Sequence, residues 1–199
     1  QGLAVIRSLG RRGVSVVAAG PDSHSLGFSS RYAAARWVYP SPLGEPKAFV
    51  DSLCEAARRF QVRLVMPVVE STVAILNEHR EAIEAIAPLA MASREAVSLA
   101  LDKRSQYLLA QQYEIPIPKT MVPISMQEVD ARIAGLHFPG VVKPNQKPHG
   151  TSASSGDFKV TFVADEDALR KLLAIYFRHS VVPIVQEFYV GHGIGFGVL

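Results

Sequence analysis

At 199 residues the chain has room for one or two domains, and 48% apolar residues can supply a core. It carries 21 basic and 18 acidic residues, a formal net charge of +3, and no basic block with interleaved aromatics, so nucleic acid is set aside as a partner. The single cysteine, Cys54, excludes an intrachain disulfide. No apolar run is long enough to span a membrane and no signal peptide opens the chain, so a cytoplasmic protein is the default expectation.

In chain order, Leu3, Val5, Ile6 and Leu9 form one helical face, with Gly13 as a fitting stop. "VSVVAAG" (14–20) reads as a buried strand. A helix followed by a short strand is the second half of a β-α-β unit, whose first strand would precede Gln1. A strand is expected around Ala35–Tyr39. An amphipathic helix follows over 45–61, with Pro46 in its first turn. Arg11-Arg12 and Arg58-Arg59 sit at helix ends, where cations oppose the negative end of the dipole. Cys54 shares a helical face with Val50 and Ala57 and reads as a buried, reduced thiol. A strand over 62–68, a helix over 70–86 and a short strand over 88–93 complete an alternation that predicts a doubly wound, parallel α/β sheet over residues 1–92. Ligands of such sheets lie beyond the carboxyl ends of the strands, which singles out Asp22 and Glu70.

The pattern changes at residue 93. A short helix begins at Ser93, and a second helix covers 102–115. The prolines hold 115–122 extended. Ser125 and Glu128 form a capping box for a helix over 125–136. Strands over 138–143 and 158–163, a helix over 165–180 and a strand over 182–188 make an α+β unit over residues 93–199.

Four features of this second part carry chemistry. Lys103 opens a helix, where the positive dipole end makes a lysine unfavourable unless an anion is near; taken alone, an ordinary solvated lysine is the favoured reading. Lys143 ends the apolar run "FPGVVK", and either a phosphate partners it or it snorkels to solvent. The stretch 145–156 is long for a hairpin connection and rich in small residues. Its His149, Gly150, Thr151, Ser152, Ser154, Ser155 and Gly156 would let backbone N–H groups and hydroxyls approach an anion. It lacks the Gly-Lys-Ser/Thr of a P-loop. Finally, the strand "VPIVQEF" ends in Gln186, Glu187 and Phe188, followed by Tyr189, a strand exit able to read the edge of adenine; taken alone, an ordinary strand exit with a solvated glutamate is the favoured reading.

The order "LALDKRSQYLLAQQYEIPIPKT", "FPGVVKP" with its small-residue stretch and "FKV", then "VPIVQEFYVG" resembles the ATP-grasp superfamily. The earlier "LAVIRSLGRRGVSVVAAGPD" with "SSRY" is similar to the domain preceding the ATP-grasp fold in carbamoyl-phosphate-synthase-like proteins and carboxylate–amine ligases. The resemblance implies a pre-ATP-grasp domain over 1–92 without its first strand, and the first part of an ATP-grasp domain over 93–199. It implies a ligase that uses ATP to activate a small carboxylate as an acyl-phosphate for attack by an amine. Lys103 and Lys143 would touch the nucleotide phosphates, residues 149–156 would cover them, and Gln186, Glu187, Phe188 and Tyr189 would hold adenine. Mg2+ would be held by acidic residues beyond Leu199, so this chain alone is expected to be inactive, with no catalytic residue assigned within it. ATP and a small carboxylate are the expected partners, and a homo-oligomer is left open. The competing reading is a non-catalytic module of the same fold that binds a nucleotide or a partner. A plain dinucleotide binder is the weakest reading, because no G-x-G-x-x-G follows a strand.

Overall fold

The computed structural model describes residues 1–145, 158–192 and 194–195. The chain forms two compact units, Gln1–Leu101 and Asp102–Leu199. The sequence reading divides the chain earlier, after residue 92. The helix Arg94–Leu101 goes with the first unit because Asn77 Nδ2 donates to the Arg94 carbonyl (3.2 Å) and to Ser98 Oγ (3.1 Å).

The first unit begins with α1 (Gly2–Gly10), which turns Ile6 inward. Gly13 follows at φ 78°, and the Val14 N–H returns to the Leu9 carbonyl (3.2 Å), a left-handed stop that only glycine adopts cheaply. Next come β1 (Val16–Gly20), a 3-10 turn (Leu26–Ser29) and β2 (Ala33–Val38), which pairs parallel to β1. Gly10 is needed where α1 crosses Tyr32, since a Cβ there would lie 2.4 Å from the Tyr32 Cβ. Then follow α2 (Pro46–Arg59), α3 (Glu70–Glu78), α4 (Arg80–Glu84) and α5 (Arg94–Leu101). Phe49, Val50, Cys54, Leu76, Ile83 and Leu89 make the core of this unit. Cys54 is buried there, its Sγ 3.5 Å from the Ala82 carbonyl, and burial pushes its thiol pKa up.

Two expectations change here. The helix over 70–86 is two helices, because His79 leaves helical geometry at φ −106°, ψ 28°. The expected four-strand parallel sheet is a two-stranded sheet plus one parallel bridge, Val65 to Leu89. The Val65 N–H donates to the Pro88 carbonyl (2.9 Å) and the Val65 carbonyl accepts from the Ala90 N–H (2.8 Å). An apolar cleft of about 550 Å³, lined by Val5, Val17, Ala19, Phe60, Val62 and Leu64 among others, borders both β1 and the 62–68 segment. The 62–68 segment thus meets a sheet neighbour among the described residues only at Leu89, so it does not extend into a full strand.

The second unit contains α6 (Lys103–Gln112), β3 (Thr120–Met121), α7 (Met126–Arg132) with a 3-10 turn (Ile133–Gly135), β4 (Gly140–Pro144), β5 (Thr161–Val163), α8 (Glu166–Arg178) and β6 (Pro183–Glu187). Side chains cap its helices: Asp102 accepts from Ser105 N–H, Ser125 from Glu128 N–H and Asp165 from Ala168 N–H. Glu128 completes its box one residue further out than expected, accepting from the Ile124 N–H at 3.2 Å. The sheet order is β3-β6-β4-β5, and every pairing is antiparallel.

Register decides the two faces of this sheet. Directly paired residues point the same way, and successive residues alternate. Met121, Val142, Val163 and Val185 share one face and are buried with Val129, Ile133, Leu169, Leu173 and Tyr176. The opposite face carries Thr120, Val141, Lys143, Phe162, Ile184 and Gln186.

Candidate functional site

The site is built on that opposite face. Lys143 alternates with the buried Val142, so the strand that anchors it in the core also turns its ammonium away from the core. Tyr107, reaching in from α6, meets it. Lys143 Nζ donates to Tyr107 Oη at 2.7 Å and lies 5.3 Å from the centre of the ring. The partner that the strand-end lysine requires is thus a tyrosine of the same unit. Tyr107 Oη also lies 3.2 Å from Gln186 Oε1. Gln186 is buried, and its Nε2 donates to Thr120 Oγ1 at 2.7 Å. Thr120 Oγ1 in turn donates to the Pro118 carbonyl at 2.6 Å.

Lys103 is held at the same end of β4. Its Nζ donates to the Asn145 carbonyl at 2.9 Å, and the Arg104 N–H donates to Asn145 Oδ1 at 2.9 Å. Asn145, itself buried, donates its own N–H to the Val182 carbonyl at 2.9 Å. One residue just past β4 therefore fastens the first turn of α6 to the strand end. The unfavourable position of Lys103 at a positive helix end is offset by a backbone carbonyl.

Glu187 closes β6. Its Oε1 accepts from the Lys119 N–H (2.7 Å) and from the Tyr189 hydroxyl (2.8 Å), and its Oε2 lies 3.6 Å from His137 Nδ1. The Lys119 N–H, then the Tyr189 hydroxyl, and more weakly His137 hold its carboxyl below the usual range. The same bond pushes the Tyr189 hydroxyl pKa up. The N–H groups of Glu187 and Phe188 are taken by the Lys119 and Pro139 carbonyls, both at 3.1 Å. Phe188 stands edge-on to Phe162, with ring centres 5.2 Å apart.

Of the residues singled out from sequence, Lys103, Lys143, Gln186, Glu187, Phe188 and Tyr189 thus belong to one unit and cluster about β4, β6 and α6. His149, Gly150, Thr151, Ser152, Ser154, Ser155 and Gly156 lie outside the described residues. Asp22 and Glu70 belong to the first unit. Asp22 follows β1, with its Oδ1 accepting from the His24 N–H at 2.7 Å, and Glu70 opens α3. The sequence reading missed Tyr107, Thr120 and Asn145. A signal for Tyr107 existed: it sits four residues after Lys103, on the same helix face one turn on. Asn145 and Thr120 gave none, because their partners are distant in the chain.

Chemically, two ammonium groups from different elements stand beside a half-apolar sheet face with an aromatic edge. Such a set can neutralise and orient an anionic ligand that has a flat apolar portion. Among the described residues, no group of three or more His, Cys, Asp or Glu side chains could hold a metal ion, and no helix is long and apolar enough to cross a membrane.

No protein-family model matches this chain, and no curated protein matches it. Solved structures do. N5-carboxyaminoimidazole ribonucleotide synthetase from Thermus thermophilus superposes with a TM-score of 0.68 at 16% identity, over 95% of this chain and 44% of that one. L-amino acid ligase from Bacillus licheniformis gives 0.67 at 16% identity, over 93% and 41%. The biotin carboxylase domain dimer of 2-oxoglutarate carboxylase from Hydrogenobacter thermophilus, solved with MgADP, ADP and bicarbonate, gives 0.67 at 14% identity, over 94% and 42%. The chain spans less than half the length of each. At these identities the likeness is one of fold, and over nearly all of its length this chain is built as the ATP-grasp ligases are.

Proposed function

We propose that this chain is the ATP-binding portion of an ATP-grasp ligase, one that activates a small carboxylate as an acyl-phosphate for attack by an amine. The observation that carries the reading is the placement of Lys143 and the β6 exit on one antiparallel sheet, with Lys103 latched to the same strand end. Its support is the fold shared with ligases, including a biotin carboxylase domain solved with MgADP. In this reading Lys143 and Lys103 meet the phosphates, and Gln186, Glu187, Phe188 and Tyr189 border the adenine. The small-residue stretch 149–156 covers the phosphates, and Asp22 and Glu70 are the substrate-side carboxylates of the first unit. The chain is divided functionally into a pre-ATP-grasp domain and the first part of an ATP-grasp domain.

Phosphoryl transfer needs positioning and charge neutralisation more than a protein nucleophile. Fixed ammonium groups supply that without moving as charge develops. When bound, Mg2+ would supply further charge neutralisation at the phosphates, and none of the described residues is given the task of holding it. The Lys103 and Lys143 side chains bind and orient the phosphate chain.

The test is ADP titration by calorimetry into the 199-residue chain and its Lys143→Ala variant. Removing a charged hydrogen-bond partner of a phosphate should weaken binding roughly 10- to 100-fold. Equal affinity in the two proteins would end the assignment of Lys143.

A further inference from the structure

We propose that Tyr107 is a positioning residue that couples Lys143 to Gln186, and through Gln186 to the β3 segment beside the β6 exit; its use in nucleotide binding rests on the reading above. Hydrogen-bond direction links the three side chains. An ammonium can only donate. Tyr107 Oη must therefore accept from Lys143 at 2.7 Å, which leaves its single proton for Gln186 Oε1 at 3.2 Å. That assignment turns Gln186 Nε2 toward Thr120 Oγ1 at 2.7 Å, and Thr120 then spends its proton on the Pro118 carbonyl at 2.6 Å. The chain runs from a group that only donates to one that only accepts. Turning over the Gln186 amide alone would set donor against donor at Tyr107, or leave Thr120 and Gln186 Oε1 facing each other without a proton between them. Gln186 is 7% exposed, so water does not rescue a flipped amide.

The coupling has a consequence at the β6 exit. Gln186 precedes Glu187, whose carboxylate is tied to the Lys119 N–H, and Lys119 lies between Pro118 and Thr120. The lysine on β4 and the strand exit on β6 are thus joined by one directional series of bonds in which Tyr107 links Lys143 to Gln186. Lys143 Nζ, 2.7 Å from Tyr107 Oη and 5.3 Å from the ring centre, meets the hydroxyl end of the ring, so Tyr107→Phe keeps the ring's packing and removes the hydroxyl that carries direction.

The experiment uses the 199-residue chain labelled with 15N at glutamine side chains. In the free protein, Lys143→Met is expected to move the Gln186 side-chain amide signal, and the same substitution made in Tyr107→Phe protein is expected to leave it in place. A Gln186 signal that ignores Lys143→Met, or that still responds to it without the Tyr107 hydroxyl, overturns the coupling. ADP titration then reads its use. Tyr107→Phe should weaken ADP binding about tenfold, with no further loss when added to Lys143→Met. Unchanged ADP affinity in Tyr107→Phe, or additive losses in the double variant, overturns the positioning role. If wild-type protein does not bind ADP, the nucleotide reading fails, while the free-protein measurement still decides the coupling.

Discussion

In the first unit β1 and β2 run parallel, and the 62–68 segment touches Leu89 through a single bridge. In the second, four short strands alternate in direction and are paired in one sheet. Both units use strands of two to six residues. The difference lies in what each sheet does with its faces and edges. The antiparallel sheet buries one face against α7 and α8 and leaves the other to Lys143, Gln186 and Thr120. In the first unit, β1 and the 62–68 segment border an apolar cleft. Both units use helical connections, but in the second α7 leads from β3 to β4 and α8 from β5 to β6, each across one intervening strand, and β4 and β5 are neighbours in both chain and sheet. The polar constellation accordingly stands on the sheet whose register is fixed on every strand.

The largest expected effect sharpens that contrast through packing. Leu173 is fully buried in the second unit, and Leu173→Ala should cost about 2–5 kcal/mol. Leu64 lines the cleft of the first unit and is half exposed, so Leu64→Ala should cost less than about 1 kcal/mol. Urea unfolding followed by hydrogen exchange separates the units, and the fluorescence of Trp37, the one tryptophan, reports on the first. Equal costs at the two positions would remove the distinction.

A second effect belongs to the second unit alone. Tyr176 is 1% exposed and its hydroxyl has no hydrogen-bond partner among the described residues. Burial pushes its pKa up to about 12 from an ordinary 10.0. The folded state therefore disfavours the phenolate. Tyr176 contributes its full stability below pH 10, and that contribution is lost as pH rises toward 12. Tyr176→Phe removes the orphan hydroxyl. It should flatten the alkaline limb of the stability profile and gain up to about 1 kcal/mol at neutral pH. Thermal melts of both proteins from about pH 7 to about pH 11.5 would show whether the limb belongs to this residue.

The smallest effects concern helix ends. Gln61, Glu114 and Ser180 hold φ values of 48°, 52° and 55°. In each case the next N–H returns to a carbonyl five residues back: Val62 to Ala57 (2.9 Å), Ile115 to Ala110 (2.8 Å) and Val181 to Tyr176 (2.9 Å). Glycine adopts this conformation without a Cβ clash. Gln61→Gly, Glu114→Gly and Ser180→Gly should each stabilise by about 0.5–1 kcal/mol, in whichever unit holds the residue. Urea midpoints measure each gain, and a loss at any of the three would show that its side chain contributes more than the strain costs.

The sequence by itself determined roughly where helices and strands fall in the second unit, its cap at Ser125, and the identity of Lys103, Lys143 and the Gln186–Tyr189 exit as the groups to watch. Those features rest on periodicity and on contacts within a few residues, so nearby letters encode them. Strand order, the shrinking of 62–68 to a bridge, and the partners of the two lysines did not show. Tyr107 meets Lys143 across 36 positions and Gln186 across 79, while Lys103 meets Asn145 across 42. Hydrogen bonds of that span are settled only when packing of the other sheet face fixes the register. The tertiary structure alone therefore decided that the strand-end lysine is held by a tyrosine, and that this tyrosine also holds the glutamine at the exit of β6.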